Sequence, residues 1–176
     1  MDRADRFRVI RYRYLQQPFF QQNVAIGYFD GASQDGGYRC GAGAFLISPI
    51  LGKYSVKWNC GFGTNTRAEL LALWSILHLA NSMGIDAIQI VGDSRIIVDW
   101  FRGSLHLETL ALTHWMERIM QLKTHFSVVN IQHVYRELNA TVDRLSKLAL
   151  DGPVGQFMVA PGDGRDPYSF KLFGLF

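Results

Sequence analysis

The chain has 176 residues, of which 48% are hydrophobic and 19% are charged, so it can bury one core and is not a disordered polypeptide. Its 18 Lys and Arg residues against 15 Asp and Glu residues give a net charge of +3, too small to indicate a broad cationic surface. No apolar run reaches the roughly 20 residues of a membrane span, and two cysteines are too few for a disulfide framework. We therefore expect an intracellular protein of the nucleus or cytoplasm that makes no membrane contact.

Three regions of different composition follow one another along the chain. Residues 1–23 contain five Arg and two Asp, and Pro18 interrupts any helix, so we interpret them as an N-terminal arm or linker. Residues 24–150 show regular hydrophobic periodicity and form the predicted catalytic domain. Residues 151–176 are punctuated by Gly and Pro, and we interpret them as a C-terminal tail.

The predicted domain begins with strands and then alternates helices and strands. Alternation of apolar residues predicts strands, and apolar residues three or four apart predict helices. The strands are expected at 24–30, 41–48, 54–62, 86–93 and 126–134, and the helices at 65–83, 94–102, 107–124 and 138–150. Short connections make the first three strands an antiparallel meander, and right-handed crossovers place the last two strands parallel to the first. The sequence therefore predicts a mixed sheet covered by helices, with the first and fourth strands as neighbours.

Four acidic residues fall where this arrangement gathers side chains. Asp30 and Asp93 end the first and fourth strands, and Glu69 and Asp143 lie in the first turns of two helices. Each position also has a structural interpretation. Asp30 could belong to an Asp-Gly turn, Glu69 to a capping box with Thr66, Asp93 to a helix N-cap, and Asp143 to the positive end of a helix dipole.

Taken together, the four acids indicate a metal site. Four carboxylates at one place repel one another unless divalent cations neutralise them. Oxygen ligands without nearby Cys or His favour Mg²⁺ or Mn²⁺. Two such ions roughly 3.5–4 Å apart can activate a water and stabilise the leaving oxygen in phosphodiester cleavage.

Four segments of the chain, in this order, resemble the motifs of type 1 ribonuclease H: YFDGAS, TNTRAELLAL, IVGDS and HVYRELNATVDRLSK. The resemblance covers about residues 24–150. It implies an α/β, RNase H-like fold whose five-stranded mixed sheet has the order 3-2-1-4-5 and is flanked by helices. It also implies endonucleolytic hydrolysis of RNA in RNA–DNA hybrids, releasing 5′-phosphomonoesters. Asp30, Glu69, Asp93 and Asp143 are then the catalytic residues and hold two Mg²⁺ ions, for which Mn²⁺ can substitute.

The loop before the last acid departs from the bacterial and retroviral pattern, which has a flexible catalytic His there. This sequence has Arg136, seven residues before Asp143, and so resembles the archaeal-type and plant variant HVPRE-x-N-x-x-AD. An Arg cannot act as a base, but it can stabilise charge on a leaving phosphate. The alternatives are an ion pair with Glu137 or a role in positioning phosphate. We expect His133 to end a strand rather than to act as a catalyst.

Five residues are candidates for contacting the substrate. Gly31 permits close approach, and the backbone groups of Gly31 and Ala32 could contact RNA 2′-hydroxyl groups. Asn65 matches the first Asn of the family's T-N-N-x-A-E loop, whereas Thr66 replaces the second. Arg67 either faces phosphate or is a solvated helix residue.

These observations favour a magnesium-dependent ribonuclease H whose partner is an RNA–DNA hybrid and which is a monomeric domain. The five-Arg arm and the plant-like motifs point to the RNase H domain of a LINE-type retrotransposon polyprotein, fused to a reverse transcriptase. A freestanding cellular ribonuclease H is the nearest alternative. Two other classes stay open at this point: a non-catalytic hybrid-binding module, and a DNA-cutting relative such as an exonuclease or an integrase-like enzyme.

Overall fold

The structure, a computed structural model, describes residues 21–173 apart from the side chain of Leu138. Most of the predicted arm and the last three residues of the predicted tail lie outside this range. The strands are β1 (Ala25–Gln34), β2 (Arg39–Ser48), β3 (Gly52–Gly61), β4 (Ala87–Gly92), β5 (Val128–His133), β6 (Phe157–Pro161) and β7 (Lys171–Leu172). The α-helices are α1 (Asn65–Ser82), α2 (Arg95–Arg102), α3 (Thr113–Lys123) and α4 (Ala140–Ala149). None of these helices is both long and apolar enough to cross a bilayer.

One mixed sheet carries the fold, with the strand order β5-β4-β1-β2-β3-β6-β7. The antiparallel meander of β1, β2 and β3 is confirmed, and so is the parallel pairing of β4 with β1 and of β5 with β4. The prediction of five strands in the order 3-2-1-4-5 is wrong for the sheet as a whole. It has seven strands, and its complete order differs because two strands continue it beyond β3.

The two additional strands come from the segment that we interpreted as a tail. β6 pairs antiparallel with β3, from Tyr54 opposite Pro161 to Trp58 opposite Phe157, and β7 pairs with β6. Val159 and Ala160 of β6 are fully or almost fully buried. A free β3 edge would leave a row of unpaired N–H and C=O groups, and this pairing satisfies them. β6 has five residues and ends in Pro161, so its signal in the sequence is weak.

Helices cover both faces of the sheet. α1, α2 and α3 pack on one face around buried residues such as Leu73, Ile76 and Ile90, and α4 packs on the other face through Val142 and Leu145. The predicted third helix begins later than expected, because a single 3-10 turn, Leu110–Leu112, precedes α3.

β1 extends four residues beyond its predicted end. Asp30 lies inside the strand, opposite Gly43 of β2, and the chain turns only at the 3-10 segment Asp35–Gly37. The Asp-Gly turn considered for Asp30 is therefore wrong. Residues 31–34 continue the ladder with β2, which carries the strand past the acidic residues and along one side of the site described below.

Two glycines allow helices to approach the sheet at backbone distance. A Cβ on Gly31 would lie 2.4 Å from the backbone of Ala68 and Glu69, so α1 rests directly on β1 there. A Cβ on Gly43 would lie 2.6 Å from backbone atoms of α4. No side chain larger than hydrogen fits at either place without movement. These two contacts set how close the helices that carry Glu69 and Asp143 come to β1 and β2.

Candidate active site

Three carboxylates meet where β4 ends beside β1. Asp30, Glu69 and Asp93 each offer one oxygen atom, and these oxygens all lie within 4.8 Å of one another. Asp30 comes from the interior of β1, Asp93 follows directly after β4, and Glu69 reaches in from the second turn of α1. A Cβ on Gly31 would point toward α1. Because successive residues of a strand point to opposite faces, the Asp30 side chain points to the other face of the sheet, where α4 packs. The cluster therefore joins groups from both layers of the fold.

Burial raises the pKa of all three carboxyl groups, and neighbouring negative charge adds to the effect. Burial, together with the charges of Asp93 and Asp143, raises the pKa of Asp30 to about 8, although the Gly31 N–H donates to its Oδ1 at 2.9 Å. Burial also raises the pKa of Glu69 to about 7, and the charge of Asp93 acts in the same direction. The pKa of Asp93 is raised by burial as well, against the opposing charge of Arg136. A site with these proton affinities attracts cations.

Asp143 lies beside this cluster and is neutralised by two basic side chains. Its Oδ2 accepts from Lys147 Nζ at 3.0 Å, and its Oδ1 accepts from Arg136 at 3.3 Å. Burial alone would raise the pKa of Asp143, but Lys147 and Arg136 outweigh it and hold the pKa below its usual value. Asp143 nevertheless raises the pKa of Asp30, as do Asp93 and Glu69, so Asp30 is influenced by all three of the other acids.

The four acids line a cleft of about 360 Å³. Its other lining residues are Gly31, Ala32, Ser33, Gln34, Asn65, Arg136 and Lys147. Of the five residues predicted to contact substrate, Gly31, Ala32 and Asn65 lie in this cleft, and Thr66 and Arg67 are not part of its lining. The Asn65 side chain donates to Glu69 Oε1 at 3.4 Å, which connects the cleft wall with the carboxylate cluster.

Arg67 is engaged with backbone atoms of the β3–α1 connection. Its Nη1 donates to the carbonyl of Phe62 at 2.7 Å and to the carbonyl of Cys60 at 3.0 Å. A contact with phosphate, one of the two roles considered for Arg67, would require the guanidinium to leave these two carbonyls. In the structure Arg67 holds together the segment that leads into α1.

Other residues perform the capping that we considered for the acids. The N-cap of α1 is Thr64, whose hydroxyl accepts from the Arg67 N–H at 3.2 Å, so the capping box with Thr66 is wrong. The N-cap of α2 is Ser94, whose hydroxyl accepts from the Ile97 N–H at 3.4 Å. Glu69 and Asp93 are therefore not needed to satisfy helix ends.

Two residues beside the acids were not predicted from the sequence. Lys147 follows Asp143 by four residues on α4, a spacing that brings side chains together and could have revealed it. Asn139 is 1% exposed, and its Nδ2 donates to the carbonyl of Phe29 at 3.0 Å, which ties the start of α4 to β1 next to Asp30. The bond between Asn139 and Phe29 joins residues 110 positions apart, and no local pattern predicts it.

His133 ends β5 as expected, and its Nε2 lies 3.2 Å from the backbone oxygen of Asp93.

The donor set fits hard divalent cations. Within residues 21–173, Asp30, Glu69 and Asp93 are the group whose ligand atoms come close enough to share an ion. All of these donors are carboxylate oxygens, and their close approach concentrates negative charge that a cation would neutralise. Asp143 lines the same cleft but does not belong to this group of three.

Comparison with known sequences gives two matches over this region. A family model described as Reverse transcriptase-like matches residues 29–149. Ribonuclease HI of Halobacterium salinarum is 33% identical over 125 residues, which make up 70% of this chain. The chain spans 63% of the length of that curated relative.

Solved structures share the fold. RNase H1 from the halophilic archaeon Halobacterium salinarum has a TM-score of 0.68 and 32% identity, over 72% of this chain and 97% of that chain. The N-terminal RNase H domain of a Mycobacterium tuberculosis protein has a TM-score of 0.69 and 24% identity, over 74% and 95% of the two chains. LC11-RNase H1, solved in complex with an RNA/DNA hybrid, has a TM-score of 0.66 and 24% identity, over 72% and 96%.

Proposed function

Because this chain belongs to the type 1 ribonuclease H family, we propose that it is an endoribonuclease that hydrolyses the RNA strand of RNA–DNA hybrids. The observation that carries the proposal is the convergence of Asp30, Glu69 and Asp93 in one cleft, with their oxygen atoms within 4.8 Å of one another. A non-catalytic binding module has no need to hold three carboxylates together against their repulsion. Retention of the fourth acid, Asp143, supports the catalytic interpretation further.

Asp30, Glu69, Asp93 and Asp143 would hold two divalent cations, with Mg²⁺ as the physiological ion and Mn²⁺ as a substitute. When bound, these cations supply activation of a water and stabilisation of the leaving oxygen. Asp30 and Glu69 must lose their protons to act as ligands, and their raised pKa values make metal binding compete with protonation. The hydrogen bond from the Gly31 N–H to Oδ1 fixes the orientation of the Asp30 carboxylate.

Arg136 supplies positive charge at the cleft without acting as a base. Its side chain is 70% exposed and reaches Asp143 at 3.3 Å, so it can turn toward a phosphate that enters the cleft. A cation aimed at a phosphate stabilises charge that develops on the leaving group. Lys147, on the other side of Asp143, keeps that carboxylate ionised when Arg136 moves.

Part of the cleft lining is suited to the RNA strand. Gly31 and Ala32, with no side chain and a single methyl group, line the cleft, and Asn65 presents a side-chain amide beside Glu69. Hydroxyl groups at the 2′ position distinguish RNA from DNA, and amide and carbonyl groups can bind them. We therefore assign recognition of the cleaved strand to Gly31, Ala32 and Asn65.

A cleavage assay tests this function. A labelled RNA–DNA hybrid incubated with the protein and Mg²⁺ should yield RNA fragments with 5′-phosphates, and Asp93→Asn protein should yield none. An all-DNA duplex should stay intact, because DNA lacks the 2′-hydroxyl groups that the site is proposed to contact. Absence of hybrid cleavage at high protein concentration would refute the proposal, and cleavage of the all-DNA duplex would assign the protein to the DNA-cutting relatives.

For its biological context we favour the RNase H domain of a LINE-type retrotransposon polyprotein, acting in the nucleus or cytoplasm. The family model described as Reverse transcriptase-like and the sequence HVYRELNATVD support this context. A freestanding cellular ribonuclease H is the alternative. An open reading frame that continues into a reverse transcriptase domain would support the first, and a frame with no such domain would support the second.

A further inference from the structure

A second cleft lies along β5, at the edge of the sheet. It has a volume of about 630 Å³, against about 360 Å³ for the active-site cleft. β5 is a terminal strand, so within the described residues one side of its backbone has no neighbouring strand. The residues that line this cleft come from β5, from α2, from the end of α3 and from the loop after β5, and they include Arg95, Arg102, Lys123, Asn130, His133 and Tyr135. We call this cleft the edge groove.

The edge groove concentrates positive charge. Arg95, Arg102 and Lys123 line it, and its described lining contains no Asp or Glu. None of these three cations forms an ion pair with another residue of the described range, whereas both basic side chains of the active-site cleft are paired with an aspartate. A groove with three uncompensated cations attracts a ligand that carries several negative charges.

Contacts inside the protein hold two of these cations in place. Arg102 Nε and Nη2 donate to the carbonyl of Ile131 at 3.0 Å and 2.6 Å. Lys123 Nζ lies 4.6 Å from the centre of the Phe101 ring. Both partners are uncharged, so each side chain keeps its positive charge for a ligand. The exposed amide of Asn130 adds a hydrogen-bond donor and an acceptor beside them.

The edge groove shares a wall with the active-site cleft. His133 lines the groove, and its Nε2 lies 3.2 Å from the backbone oxygen of Asp93, a member of the carboxylate cluster. Arg95 of the groove follows Asp93 by two residues, and Tyr135 of the groove directly precedes Arg136 of the cleft. A nucleic-acid strand that leaves the carboxylates past Asp93 therefore reaches the edge groove next.

We propose that the edge groove binds the single-stranded part of an RNA that continues beyond the hybrid held at the active site. This inference rests on the proposed function, which places the cut RNA strand at the carboxylates. The groove follows β5 for roughly 20 Å at 3.3 Å per residue, the length of about six stacked nucleotides at 3.4 Å each. Phosphates of this strand would meet the three cations, and its unpaired bases offer edges that the amide of Asn130 can bond.

The neighbouring sequence also favours a polyanion, and the backbone of β5 favours RNA over an acidic peptide. Residues 1–20 contain five Arg and two Asp, and they are followed by Gln21, which lines the edge groove. An extended peptide would bind a strand edge through backbone hydrogen bonds. Arg102 already occupies the carbonyl of Ile131 in the middle of β5, so this edge is partly blocked for a peptide. Phosphates need only the cations.

Hybrids with and without an extension measure the contribution of the edge groove. One hybrid has blunt ends, and two others carry about six unpaired nucleotides at the 5′ end or at the 3′ end of the RNA, the length that fits the groove. Because the groove lies on one side of the cleft, one of these two extensions should lower KM by about 10-fold, the size expected for phosphate contacts with three cations, at unchanged kcat. The same extension on the DNA strand should leave KM at the blunt value.

Loss of the cations should remove this gain step by step. If three cations share it equally, Lys123→Gln should leave a gain of about 5-fold, and Arg102→Gln with Lys123→Gln a gain of about 2-fold. Lys123 contacts the Phe101 ring rather than the backbone, so its single variant tests the proposal even if loss of the Arg102 bond disturbs β5. Lys53→Gln with Lys171→Gln removes two exposed lysines outside both clefts and is the matched control, with the full gain.

Four results would overturn the proposal. The first is an equal KM for the blunt hybrid and for both hybrids with extended RNA. The second is a gain that the double variant of Arg102 and Lys123 keeps in full. The third is the same gain from an extension of the DNA strand, which would show a general attraction of charge. The fourth is competition by poly-glutamate as strong as that by RNA of equal charge, which would assign the edge groove to an acidic peptide.

Binding measured without cleavage separates this inference from the proposed function. Fluorescence anisotropy in Mg²⁺ reports the affinity of the Asp93→Asn protein for the labelled blunt and extended hybrids, with and without the two cations. For the extended hybrid, loss of both cations should weaken the slope of log Kd against log salt by about 1.4, at about 0.7 for each lost contact with a single strand.

The two failures are then distinguishable. If the wild-type protein cleaves no hybrid, but the extension raises affinity by about 10-fold and this gain depends on Arg102 and Lys123, the inference stands and the proposed function fails. If hybrids are cleaved but the blunt and extended hybrids bind with the same affinity, the inference fails and the proposed function stands.

Discussion

Replacing Gly31 with Ala should damage the active site through the contact between β1 and α1. The new Cβ would lie 2.4 Å from the carbonyl carbon of Ala68 and from the nitrogen of Glu69, whereas ordinary contacts begin at 3.4 Å. The first turns of α1 must therefore move by about 1 Å, the difference between 3.4 and 2.4 Å. Because the displaced nitrogen belongs to Glu69, this carboxylate moves away from Asp30.

A displacement of this size has two measurable consequences. A 1 Å misplacement of a catalytic group costs roughly 10²-fold in rate, so kcat on a hybrid should fall by about that factor. Overpacking of this kind also lowers the free energy of unfolding by roughly 1–3 kcal/mol. The added methyl group faces α1, so it does not block the cleft, and KM for the hybrid should change much less than kcat.

Cleavage kinetics and urea denaturation of Gly31→Ala protein test this reasoning. Gly152→Ala is the matched control, because its Cβ would meet only the carbonyl of Ala149 at 3.5 Å, and it should keep wild-type kcat and stability. Wild-type kcat and stability in Gly31→Ala protein would show that the β1–α1 distance does not position Glu69. A rise in KM without loss of kcat would place the new methyl group against the substrate instead.

Three further predictions concern the acids and their partners. Asp93→Asn should lower kcat by at least about 10³-fold while circular dichroism and the melting temperature stay native, because the amide keeps the shape and loses a metal ligand; retained activity would refute the metal site. Arg136→Ala should lower kcat by about 10²-fold and change KM less, and an unchanged kcat would return Arg136 to the role of a surface ion-pair partner. Without metal, the free energy of unfolding should fall as the pH rises from about 4 to about 8, because the raised pKa values of Asp30 and Glu69 mean that the folded state binds more protons than the unfolded state. Excess Mg²⁺ should remove this loss of stability at high pH. Thermal melts at both pH values, with and without Mg²⁺, measure the effect. Greater stabilisation by the metal at low pH than at high pH would contradict the reasoning.

Local signals were enough for the core of the fold. Hydrophobic periodicity and turn residues predicted the meander, the helices and the parallel placement of β4 beside β1, because these patterns depend on neighbours in sequence. Pairing of β6 with β3 depends on an unsatisfied strand edge about 100 residues earlier, which no local pattern reports. The same limit applies to β1: the predicted end at Asp30 is too early, because pairing with β2 fixes the continuation of the strand.

The sequence by itself determined which acids are candidates for the site. It indicated Asp30, Glu69, Asp93 and Asp143, because their predicted positions at the ends of neighbouring elements bring them to one sheet edge, and the structure places all four in one cleft. Only the tertiary structure decided how they divide: three carboxylates share one cluster, and the fourth is paired with Lys147 and Arg136.

The tertiary structure also decided which neighbours face the cleft. Arg67 donates to backbone carbonyls and does not line the cleft, whereas Lys147, which no sequence prediction included, does. The physical reason is that residue type and spacing fix which groups can come together. The direction of each side chain depends instead on long-range pairing and on the backbone approach that Gly31 and Gly43 permit.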